Sequence, residues 1–112
     1  MSIGKCLSHI VVNKGTAYLT GQAPVDRDQG ICGRARQVLA LIGELLRSAD
    51  TCEANINFAQ LWLKHVVRDF LAMNSVWEEW ISHESLPARA TVEANLAADS
   101  ILVDIALQAA ID

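Results

Sequence analysis

Residues 87–110 read PARATVEANLAADSILVDIALQAA, and how these two alternating runs lie against the rest of the chain decides the fold. After Pro87, Ala88, Ala90, Val92, Ala94 and Leu96 alternate with Arg89, Thr91, Glu93 and Asn95. Further on, Ile101, Val103, Ile105 and Leu107 alternate with Leu102, Asp104, Ala106 and Gln108. Successive side chains of a strand leave opposite faces, so both runs are expected to be strands with one apolar face. If Ala97–Ser100 closes a four-residue hairpin loop, Leu96 pairs with Ile101, Glu93 with Asp104, Thr91 with Ala106 and Arg89 with Gln108. The polar groups then share one face. Carboxylates set opposite one another repel, which raises the pKa of one, and a carboxyl poised in this way can move a proton near neutral pH. Arg89, always charged and forked, suits a substrate carboxylate. The plainer alternative is a wet strand end, and a one-residue change of register would separate the acids.

The preceding segments supply the cover. His9–Gly21 holds two β-rich pieces around Asn13-Lys14-Gly15, an expected hairpin, followed by a Pro-, Asp- and Gly-rich loop over residues 22–33. From Gly33 to Ala49, Ala35, Val38, Leu39, Ile42, Leu45 and Leu46 recur at helical spacing, with Arg34, Arg36, Gln37, Glu44 and Arg47 largely off that face. Ile56–Val67 carries apolar residues on both alternating sets, as a strand covered on both sides does. Asp69 offers an N-cap to a second helix through His83, in which Phe70, Met73, Trp77 and Trp80 form a stripe read as core packing. The order ββ, α, β, α, ββ predicts an α+β fold, with two helices on one face of a mixed or antiparallel sheet.

At 112 residues, one domain spanning residues 1–112 is expected. With 52% hydrophobic and 20% charged residues, the chain is too apolar to leave a sheet face open, so a partner subunit is expected to cover it. A formal net charge of -4 argues against nucleic acid, which needs clustered Lys and Arg. No apolar run is long enough to span a bilayer and the first residues lack a signal-peptide pattern, which predicts a cytoplasmic protein without a membrane partner. Cys6, Cys32 and Cys52 have no CxxC spacing and read as free thiols. His9, His65 and His83 have no ligand spacing, and no metal is expected. No GxSxG context surrounds Ser8, Ser75 or Ser82.

VVNKGTAYLTGQAP, ANINFAQLWLKHVVRDFLAMNSVWEEWI and PARATVEANLAADSILVDIALQAAI resemble, in order and over nearly the whole chain, the reactive-intermediate deaminase family, RidA or YjgF. The PAR-x-x-VE segment followed by a V-D/E-I strand is the most specific part. The resemblance implies a chorismate-mutase-like fold, a homotrimer whose central sheets form a barrel, and sites for small carboxylates in the clefts between subunits. It implies that Arg89 binds the carboxylate of a 2-imino acid or its enamine tautomer and that Asp104 holds the attacking water. Thr20, Gly21, Asn74, Thr91 and Glu93 are the implied ligand-binding residues, and no cofactor is implied.

The chain also departs from the family pattern. Asp104 is one methylene shorter than the usual glutamate, Thr91 stands where cysteine is common, and the aromatic of a GPY-type segment has no counterpart near Leu7 and Ser8. These features are similar to the YoaB-like branch. The expected activity is a cofactor-free enamine/imine deaminase. The alternative is a module on the same trimer that binds or senses 2-keto acids without turnover. A ribonuclease or translation-inhibitor reading, attached to some members, is disfavoured by the acidic charge.

Overall fold

The computed structural model describes residues 2–3 and 7–111. Among these residues the chain forms β1 (Ser2–Ile3), β2 (Leu7–Ser8), β3 (Ile10–Asn13), β4 (Thr16–Gln22), α1 (Ile31–Ser48), β5 (Ile56–Leu63), α2 (Val66–Trp80), β6 (Ala88–Glu93) and β7 (Val103–Ala110). β1 and β2 make a small antiparallel pair. The other strands form one mixed sheet in the order β3-β4-β7-β5-β6. This is the expected α+β arrangement, both helices lying on one side of the sheet.

The β3–β4 hairpin turns where expected, with Lys14 (φ 50°) and Gly15 (φ 78°) both in the left-handed region, a two-residue loop whose twist suits the strands. α1 buries Ala35, Val38, Leu39, Ile42, Leu45 and Leu46 against Leu19, Leu61, Ile105 and Leu107. Leu61 and Leu63 are wholly enclosed, and truncating either to alanine would cost about 2–5 kcal/mol. Asp50 (φ 60°) ends α1 in the left-handed region. There Asp50 N donates to Arg47 O and Thr51 N to Leu46 O, which satisfies the helix's last carbonyls.

Arg34, expected off the apolar face, is buried instead. Its guanidinium donates to the carbonyls of Gln29, Arg27 and Ser100, tying the loop before α1 to the loop before β7. α1 also begins at Ile31, ahead of the expected Gly33.

β5 ends at Leu63 rather than Val67, because α2 already begins at Val66. Asp69 is therefore not the N-cap: it lies in the first turn, buried, accepting from Arg68 Nε at 2.8 Å and Nη2 at 2.9 Å. Glu93 supplies the missing cap, its Oε1 accepting from Val66 N at 2.9 Å. α2 closes at Trp80, short of His83.

The largest correction concerns β6 and β7, which do not pair with each other. β6 runs parallel to β5, with Ala59 opposite Arg89 and Leu63 opposite Glu93, after the helical crossover that a parallel pair requires. β7 runs antiparallel between β4 and β5, with Leu61 opposite Ile105 and Trp62 opposite Asp104. The row Ala59, Leu61, Leu63 thus faces the helices together with Arg89, Thr91 and Glu93 and with Val103, Ile105 and Leu107. Tyr18, Phe58, Gln60, Trp62, Val92 and Asp104 look out from the other side. Arg89 and Asp104 therefore stand on opposite faces of the sheet, and the shared polar face does not exist.

Candidate active site

Arg89, near the start of β6, reaches along α2. Its Nη1 donates to Asn74 Oδ1 at 2.6 Å, and its guanidinium carbon lies 5.7 Å from the ring centroid of Phe70 and 5.5 Å from that of Trp77. Residues 70, 74 and 77 recur at three and four, so one helix stripe supplies the whole bracket. The stripe read as core packing is thus also an arginine holder, and cation–π contact fixes the fork without neutralising it. Burial lowers the Arg89 pKa while the Glu78 charge opposes that shift, and a guanidinium stays protonated throughout. Asn74, Trp77, Ile81, Leu86 and Pro87 line a cleft of about 350 Å³ beside it. Thr91 follows on the same side, and among the described residues its buried Oγ1 has no hydrogen-bond partner.

Asp104 projects from the other side of β7, next to Trp62 across the strand pair. Its Oδ1 is buried and likewise without a partner among the described residues. Burial pushes its carboxyl above the usual carboxylate range. The raised pKa expected from the sequence is present, but desolvation causes it, not repulsion by Glu93. Thr20, Gly21, Trp62, Asn95, Leu96 and Asp104 line a cleft of about 410 Å³.

Thr20 and Gly21 sit in an irregularity of β4, where the register to β7 shifts between Leu19 and Gln22. Thr20 N donates to His9 O at 3.0 Å, and buried Gln22 donates through Nε2 to Thr20 O at 3.0 Å, with His9 Nδ1 at 3.3 Å. Gln22 holds the bulge, a role that sequence reading missed. Its signal was a glutamine directly after Thr20-Gly21 at the end of the strand.

The expected residues therefore fall into two groups: Thr20, Gly21 and Asp104 on the open side, and Asn74, Arg89 and Thr91 on the helix side. Glu93 joins neither, being held at the start of α2. A candidate anion anchor and a candidate base each lie beside a cleft of ligand size, and the sheet separates them.

A family model described as Endoribonuclease L-PSP matches residues 4–111. The chain belongs to this family, also known as RidA/YjgF. Among RidA/YjgF relatives, a RutC family protein of Haemophilus influenzae is 36% identical over 102 residues, covering 90% of this chain and 87% of that protein. The RutC family protein YoaB of Escherichia coli is 31% identical over 104 residues, 93% of this chain and 90% of its own, consistent with the YoaB-like branch. The 2-iminobutanoate/2-iminopropanoate deaminase of Capra hircus is 31% identical over 98 residues, 82% of this chain and 69% of its own. The crystal structure of NMB1025, a YjgF family member from Neisseria meningitidis, superposes with a TM-score of 0.91 at 30% identity, covering 95% of this chain and 87% of that one.

Proposed function

We propose that this RidA/YjgF protein hydrolyses 2-imino acids and their enamine tautomers to 2-keto acids and ammonia, in the cytoplasm and without a cofactor. The site is completed when one copy's Arg89 cleft meets another copy's Asp104 cleft in a homotrimer. The observation that carries this reading is the division just described: anchor and base lie on opposite faces of one sheet, so a single chain cannot present both to one small molecule. The open face adds support. Tyr18, Phe58 and Val92 on it are exposed, the kind of apolar patch that marks an interface. The goat relative's name supports the substrate class.

The chemistry follows from the groups. Arg89 grips the carboxylate, bracketed by Phe70 and Trp77 and fixed by Asn74, which orients the C=N carbon. Ionised Asp104 takes a proton from water as its oxygen bonds to that carbon, and the C=N electron pair moves onto nitrogen. The protonated Asp104 then delivers its proton to the amine of the tetrahedral adduct formed from the protonated imine. The C–N bond breaks with its electron pair on the leaving ammonia, and the hydroxyl proton returns to Asp104 as the ketone forms. A carboxyl shifted upward is suited to both transfers. A nuclease reading is disfavoured by the net charge of -4.

The test generates imines from amino acids in a coupled assay and compares wild type with Arg89→Ala. A loss of roughly 10- to 100-fold in kcat/KM is expected when hydrogen bonds to a charged group are removed. Undiminished turnover in the variant overturns the reading. Stabilisation by 2-keto acids with every imine left at its background rate would favour the sensing module instead.

A further inference from the structure

We infer that Glu78 is a positioning residue for the carboxylate anchor, acting through the Asn74 amide. This rests on Arg89 being that anchor. Glu78 lies one helical turn after Asn74, and its Oε1 accepts from Asn74 Nδ2 at 3.0 Å while Asn74 Oδ1 accepts from Arg89 Nη1 at 2.6 Å. An amide has two ends of similar shape and opposite polarity. Turned over, Asn74 would set its NH₂ against the guanidinium, donor facing donor. Glu78 excludes that state, because the turned amide would also point its oxygen at a carboxylate. The relay therefore selects the one amide orientation in which Arg89 is held, leaving the rest of the fork for a ligand. Further along the chain, His83 Nε2 lies 2.7 Å from Glu78 O, which anchors the Glu78 backbone at the end of α2.

The geometry separates this role from simple charge. As a charge, Glu78 opposes anion binding, so its removal should tighten the site; as an orienting acceptor, its removal should loosen it. The opposite signs make the test decisive. Binding of 2-oxobutanoate is measured by calorimetry for wild type, Arg89→Ala, Glu78→Ala, Glu78→Gln, Asn74→Ala and the double variant E78A/N74A. Melting temperatures are recorded alongside; Glu78 is exposed, and its substitution should leave them unchanged. Glu78→Ala is expected to weaken binding about tenfold, the size of one hydrogen bond of about 1.4 kcal/mol. Glu78→Gln, which keeps an acceptor, should weaken it less than about threefold. In the Asn74→Ala background, Glu78→Ala should weaken binding no further. In the imine assay the Glu78→Ala loss should fall on KM rather than kcat.

Unchanged or tighter binding in Glu78→Ala overturns the inference, as does a Glu78→Gln variant as weak as Glu78→Ala. If Arg89→Ala binds as wild type does, the anchor reading fails and this one falls with it. An Arg89→Ala loss with no Glu78→Ala effect defeats the relay alone.

Discussion

Gly21 lies against Asp104 so closely that a Cβ at position 21 would overlap Asp104 Oδ1 and come within 3.1 Å of its Cγ. The carboxylate is seated on bare backbone, and only glycine leaves it room. Gly21→Ala is therefore expected to push the Asp104 side chain from its place, lowering kcat/KM at least about tenfold, with little cost in stability because the clashing atoms are the end of a side chain beside an open cleft. Steady-state kinetics and urea unfolding measure the two effects. An alanine variant with wild-type turnover would separate the seat from the chemistry.

The raised Asp104 pKa makes a statement about stability. A carboxyl whose pKa is higher in the folded state than its ordinary 3.8 destabilises the fold wherever it is ionised, and the penalty vanishes below that pH. Asp104→Asn, which removes the charge and keeps the shape, is thus expected to unfold later at pH 7, by a margin that solvent screening of a half-buried group keeps small. The advantage should fade as pH falls through the shifted value and be gone below 3.8. Denaturant melts at pH 7 and pH 3 check the sign, and a variant less stable at pH 7 contradicts it.

In the proposed reaction Asp104 must be ionised to accept the water's proton. The acid limb of kcat/KM is therefore expected at a pH above 3.8, with activity lost as pH falls through the shifted value. Asp104→Glu, one methylene longer, should carry the carboxylate further into the cleft and raise kcat by about twofold or more. A slower glutamate variant would mean that the short side chain is already matched to its water.

Arg89→Ala and Asp104→Ala subunits should each be strongly impaired alone, by about tenfold or more. Unfolded together and refolded as a mixture, they should recover about a quarter of wild-type activity, since one cleft in four draws both intact halves from different copies. A mixture as inactive as its components would show that both residues must come from one chain.

Arg34 offers a test of the scaffold. Its guanidinium satisfies three loop carbonyls at once, those of Gln29, Arg27 and Ser100. Arg34→Met keeps much of the volume and removes the donors, and should cost about 2–4 kcal/mol. Urea midpoints measure it. A loss under half a kilocalorie would mean that solvent replaces the guanidinium freely.

Local pattern was legible where it recorded one strand's or one helix's own contact with the core. The Lys14-Gly15 turn, the apolar face of α1 and the alternation of Val103, Ile105 and Leu107 all follow from spacing and turn chemistry. Alternation states which residues share a face of their own strand, but not which strand lies beside it. That phase comes from pairing, and the short loop assumed between β6 and β7 reversed it for Arg89 and Asp104. Two signals pointed the other way: a strand, a helix and a strand in succession are the mark of a parallel neighbour, and the connection over residues 94–102 is longer than most hairpin loops. The start of α2 was hidden for a different reason. Its cap comes from Glu93, distant in sequence, while Asp69 offered a local cap that the fold uses as a partner for Arg68.

The roles of Arg89 and Asp104 came from the family resemblance. Spacing alone could not supply them, because the two residues stand on opposite faces of the sheet and share no local pattern.

The bond from Val66 N to Glu93 Oε1 closes a loop through β5, α2 and β6. An edge strand ordinarily frays from its free rim, and a helix from its first turn. Here one hydrogen bond ties the two, so opening of the strand end and of the helix start is expected to be coupled, and removing the tie with Glu93→Ala should speed amide exchange at both. Arg89 and Asn74 ride on those same two elements, so the helix and the sheet's edge strand are joined by side chains at two places, once at the start of α2 and once at its middle.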